Sequence, residues 1–233
     1  MDKYQPYSLQ QDSPGSVAAM RNKVLRNTYW LLAISMLPTV LGAWIGLNSR
    51  YSALAAASPG MNIIFFLAVA FGLIFAIEKF KNSAIGVGLL LVFTFFMGVM
   101  LSRLIGFVMG FSNGPSLIML AFGGTALIFS AMATIATVSK RDFSGLGRWL
   151  IVGVGVLFVV SLANIWLQLQ PLVLTISAIA IVIFSALLIV DIQRVVNGGE
   201  RNYITATLQI YLNLYNIFAN LLTLLGIFGG NRN

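Results

Sequence analysis

A chain of 233 residues that is 59% hydrophobic and only 9% charged carries more apolar surface than a soluble domain of that size can enclose. Its 14 basic against 6 acidic residues give a net charge of +8. Because the basic residues sit in short loops beside apolar runs, their expected partner is the lipid bilayer with its anionic surface, and no nucleic acid. With no Cys and no His, thiolate nucleophiles, His-ligated metals, Ser-His triads and His proton relays are excluded together, so the chain reads as no enzyme, with no catalytic residue, no metal and no cofactor.

Residues 1–23 are polar, mix both charge signs and lack apolar periodicity, which predicts a flexible tail. Seven apolar runs follow, drawn at 27–47, 61–78, 84–109, 116–138, 148–169, 172–193 and 205–228. A hydrocarbon core about 30 Å thick is crossed by about 20 helical residues, and backbone groups inside lipid are satisfied only in helices or closed barrels. Breakers such as Lys81-Asn82-Ser83, Asn113-Gly114-Pro115, Gln170-Pro171 and Asn197-Gly198-Gly199 separate the runs. The first run is too long, and its leader too extended, for a cleaved signal, so it reads as a retained helix. The expectation is an all-α integral membrane protein with one seven-helix domain over 24–228 and a short extracytoplasmic segment, 229–233.

Eleven of the 14 basic residues fall on one side: Lys3, Arg21, Lys23 and Arg26 in the leader, then Lys79, Lys81, Lys140, Arg141, Arg148, Arg194 and Arg201 in alternate loops. Arg50 and Arg232 lie opposite, and Arg103 lies near the outer end of the third run. The positive-inside rule then predicts a cytoplasmic amino terminus and an outer carboxyl terminus.

Charges at membrane depth are expensive and therefore informative. Glu78 beside Lys79 reads as interfacial, and Arg103 as snorkelling outward. Asp191 differs, because it lies near the carboxyl end of the sixth run, where the helix dipole disfavours an anion. Two readings stand: local pairing with Arg194 three residues on, or an inward-facing acid that gates or senses something.

On the seventh run Gln209, Asn213, Asn216 and Asn220 are spaced 4, 3 and 4, which puts four amides along one face. Such a stripe either lines a wet cavity or bonds neighbouring helices, with Asn164 and Gln168 of the fifth run as partners. Asp191 and Asn213 both lie about two turns from the hairpin that joins their helices, so their side chains can meet at similar depth. The spacings Gly42/Gly46, Gly106/Gly110 and Gly226/Gly230 read as weak packing signals without function.

Several segments in the same order resemble one family: Gly124-Thr125-Ala126-Leu127-Ile128-Phe129, Ser139-Lys140-Arg141-Asp142-Phe143-Ser144, Ala163-Asn164-Ile165-Trp166, Asp191 at its helix end, and Ile210-Tyr211-Leu212-Asn213-Leu214-Tyr215-Asn216-Ile217-Phe218. From about residue 20 onward the chain resembles the transmembrane Bax inhibitor motif (Bax inhibitor-1) family, in its bacterial YccA type. The resemblance implies six helices surrounding a central seventh. It also implies two aspartates sharing a proton as a pH-sensitive latch on a calcium leak, so that calcium would be an ion in transit. Asp191 matches the first aspartate, but the second position is Asn213, and Lys79, Lys81, Glu78 and Arg194 are only nearby charge partners. A lone carboxylate with an amide lacks the mutual repulsion of a dyad, so pH gating is expected to be weak or shifted to acid. A calcium site is doubtful because that ion prefers 6–8 oxygen ligands. YccA-type resemblance further implies a bacterial inner-membrane modulator and substrate of the membrane-bound AAA+ protease FtsH, with the leader as a handle. Intramembrane proteolysis lacks its second acid, its metal or a base for a Ser.

Overall fold

The computed structural model describes residues 14–49 and 59–230, with side chains from residue 19 and, after the gap, from residue 63. Seven helices make up the fold among the described residues: α1 Pro14–Asn48, α2 Pro59–Phe80, α3 Ala84–Met109, α4 Gly114–Val138, α5 Ser144–Leu167, α6 Gln170–Val196 and α7 Tyr203–Gly229. Each is long and apolar enough to cross a membrane. The chain is an all-α membrane protein.

Most helices run a few residues past the hydropathy limits, because a helix continues into the headgroup layer until its chemistry stops it. Pro115 and Pro171 occupy the first turns of α4 and α6, where a missing N–H is no loss. Asn202 begins α7, its side-chain oxygen accepting from the backbone N–H of Ile204 and Thr205. At the far end of α5, Gln168 takes a left-handed conformation with φ 52°, and its N–H donates to the Asn164 carbonyl.

The largest shift is at the amino end. Residues 14–23, expected in the leader, are the opening turns of α1, whose Ala18-Ala19-Met20-Arg21 sequence has high helix propensity. Residues 1–13, the stretch 50–58 with Arg50, and 231–233 with Arg232 lie outside the described residues.

The helix α7 is the hub, packing against α1, α2, α3, α4 and α6, while α5 packs on α6. Its inner residues Ile204, Leu208, Ile210 and Ile217 join Phe93 of α3 and Leu188 of α6 in one fully buried core. Outward faces carry Trp30, Trp44, Phe75, Leu127, Trp149 and Val182, large apolar side chains that are exposed because lipid is their solvent.

The helices α1 and α3 run parallel and touch backbone to backbone. A Cβ on Gly42 would strike the Phe95 carbonyl oxygen, one on Gly46 the Ser102 hydroxyl, and one on Gly98 the Thr39 carbonyl. The Gly42/Gly46 spacing thus marks a real helix contact, where missing side chains let main chains approach.

Candidate functional site

Asp191 and Asn213 meet. The Asn213 Nδ2 donates to Asp191 Oδ2 at 2.7 Å, and the residues are 9% and 4% exposed. They face each other because α6 and α7 form an antiparallel hairpin, and the positions on each side of Asp191, Val190 and Ile192, are buried in the same packing. A carboxylate enclosed this way needs a donor, and the amide supplies one.

Arg194 gives a second, looser contact, with Nη1 3.9 Å from Asp191 Oδ1 and its side chain 53% exposed. Asp191 thus makes both contacts, one oxygen toward the amide and the other toward a guanidinium at the rim. Lys79 and Lys81 are not its partners. The Lys79 ammonium lies 5.9 Å from the Phe80 ring centre, and Lys81 Nζ is 2.9 Å from Glu78 Oε2. That pairing holds the Lys81 ammonium above its usual value.

The other Glu78 oxygen accepts from Thr205 Oγ1 at 2.9 Å, so this interfacial acid ties α2 to the first turn of α7. Asn202 reinforces the joint, since its Nδ2 donates to the Lys81 carbonyl at 2.9 Å and to Asn82 Oδ1 at 2.8 Å.

The amide stripe divides. Only Asn213 reaches another helix. Asn216 and Asn220 donate to the carbonyls of Leu212 and Asn216, four residues back on their own helix, at 2.8 Å each. Gln209 is half-buried. Asn164 must be corrected: it sits at the end of α5, accepting from Leu169 N–H at 3.0 Å and donating to the Leu169 carbonyl at 3.3 Å. It closes the α5–α6 turn instead of joining the α7 amides, because the left-handed Gln168 folds the chain back over it. Arg103 is exposed, as a snorkelling side chain requires.

Three polar residues escaped the sequence reading. Gln193, 4% exposed, grips the α4–α5 loop at both amide ends, donating to the Arg141 carbonyl at 2.7 Å and accepting from Phe143 N–H at 2.8 Å. Tyr211, 1% exposed, shares a 2.9 Å bond with Thr39 of α1, and Tyr215 donates to the Met97 carbonyl of α3 at 3.3 Å. These tyrosines lie on the opposite side of α7 from Asn213, so α7 is tied by polar bonds on both flanks. A polar residue two places from Asp191 was visible in the sequence, but its partner, a backbone some fifty positions away, carries no signal.

The arrangement buries one acid just inside the bundle against an amide donor, while Gln193 and Asn202 tie α6 and the start of α7 to two loops at the same basic end.

Comparison with known proteins agrees with this architecture. A family model described as Inhibitor of apoptosis-promoting Bax1 matches residues 21–230. A protein of Neisseria meningitidis is 38% identical over 207 residues, covering 88% of this chain and 91% of its own. In Escherichia coli K12, the protein named Modulator of FtsH protease YccA is 37% identical over 205 residues, 88% of this chain and 90% of its own. The E. coli O6:H1 counterpart, named Inner membrane protein YccA, matches to the same extent. With the match running from α1 to the end of α7, this chain belongs to the Bax inhibitor-1 family and is similar to the bacterial YccA proteins.

Proposed function

We propose that this chain is a bacterial inner-membrane regulator, and itself a substrate, of the membrane-anchored AAA+ protease FtsH, and not an enzyme. The observation that carries the reading is the 37% identity, over 88% of the chain, to a protein named for modulating that protease. The absence of Cys and His from the sequence supports a binding role over a chemical one. By the positive-inside rule the basic loops support a cytoplasmic amino terminus and a periplasmic carboxyl terminus, an orientation that would put the leader on the side of a cytoplasmic ATP-driven motor. Residues 1–13, which precede α1, are the handle such a motor would grip.

A second reading, a pH-sensitive leak for calcium or another cation gated at Asp191, is favoured by the buried 2.7 Å contact between that acid and Asn213. Reconstitution separates the two. Flux through liposomes that Asp191→Ala abolishes supports the leak; no flux, with co-purification of the protease and slower turnover once residues 2–13 are deleted, supports the regulator.

A further inference from the structure

Beside the acid–amide pair, and adjoining it through Arg194, a cavity of about 210 Å³ opens between the α4–α5 loop and the end of α6, lined among others by Asp142, Ser144, Gln193, Arg194 and Asn197. Two charges of opposite sign face it. Asp142 forms no ion pair among the described residues, and Arg194 has only the long contact to Asp191. Its carboxylate is held in place by Ser144, whose N–H donates to Oδ1 at 2.8 Å and whose hydroxyl donates to Oδ2 at 3.0 Å. Gln193 fastens the loop to α6 through its two backbone bonds. A simple anion here would meet Asp142, and a simple cation would meet Arg194. A ligand carrying both charges satisfies each.

The chemistry around the cavity suits headgroup depth. Trp149, 75% exposed one to two turns into α5, is the kind of aromatic that sits at a membrane–water boundary, and the exposed Lys140 and Arg141 flank the same loop. We propose that this cavity binds a zwitterionic phospholipid headgroup of the phosphoethanolamine class, with the phosphate on Arg194 and the ammonium on Asp142. Arg suits the first role because its planar donors match phosphate oxygens. The carboxylate suits the second because an unmethylated ammonium retains its N–H donors.

The test uses the full chain in micelles with equal amounts of phosphatidylethanolamine, phosphatidylglycerol and phosphatidylcholine, bound lipid being counted by native mass spectrometry. Phosphatidylethanolamine is expected to be retained in excess. Asp142→Asn, which keeps an acceptor for the Ser144 N–H, removes its preference over phosphatidylglycerol by roughly tenfold, the worth of one charged pair. Asp142→Glu keeps the preference, Arg194→Gln weakens all three lipids, and Lys79→Gln, an equal loss of charge on α2, leaves the pattern unchanged. Adducts that ignore Asp142 and Arg194, or that follow net charge so that Lys79→Gln acts like Arg194→Gln, overturn the proposal. Displacement of the lipid by an equal amount of soluble phosphoethanolamine overturns the lipid assignment in favour of a free ligand.

Discussion

At the scale of single residues, the contact between Asp191 and Asn213 is costly to break. Asn213→Leu keeps the volume of the side chain but leaves a buried carboxylate without its nearest donor. It should destabilise the protein by about 1–3 kcal/mol, read as a lower unfolding temperature in detergent. Asp191→Asn, which removes charge and burial cost together, should cost less. Asp142 provides a pH readout. The hydrogen bonds from Ser144 hold its carboxyl below the ordinary carboxylate value. Since the folded value is depressed, the hydrogen bonds from Ser144 stabilise the start of α5 above the ordinary value and lose that contribution as pH falls through the folded one. Exchange of the Ser144 amide, corrected for intrinsic rate, should therefore accelerate only in strong acid, and Asp142→Asn should abolish that dependence while its oxygen still accepts.

Among elements, the joint of α1 with α3 is the least forgiving. A Cβ on Gly98 would lie 2.8 Å from the Thr39 carbonyl carbon and 2.9 Å from its Cα, and both are backbone atoms that cannot swing aside. Gly98→Ala should therefore part the helices and cost about 1–3 kcal/mol or more, whereas Gly88→Ala, with open space around it, should be neutral or stabilising by helix propensity. Parallel thermal unfolding curves of the two variants check the contrast. The spans themselves were legible, since α3 matches its hydropathy limits at both ends and the others differ by a few residues. The start of α1 was not, because a helix that leaves the hydrocarbon no longer carries an apolar signal. Asn164 misled because spacing alone gives a helical face without saying what packs there, and the turn made by Gln168 decides that.

For the whole molecule, the meeting of Asp191 with Asn213 could be read from depth alone, as a hairpin of two membrane helices leaves few degrees of freedom. The Gln193 clamp and the Tyr211 anchor could not, since both depend on which elements distant in sequence lie side by side. The charge asymmetry makes a global prediction. Reporter fusions should place the carboxyl terminus outside, with alkaline phosphatase active and green fluorescent protein dark, and fusions in the α4–α5 loop should give the reverse. The same result in both places would refute the orientation.

The direct main-chain contact of α1 with α3 also sets how the molecule resists force. A machine hauling on the amino terminus would draw α1 lengthwise along α3, shearing the glycine contacts at Gly42, Gly46 and Gly98 in concert. The hub α7, also tied to α1 through Tyr211 and Thr39, would brace that seam from behind.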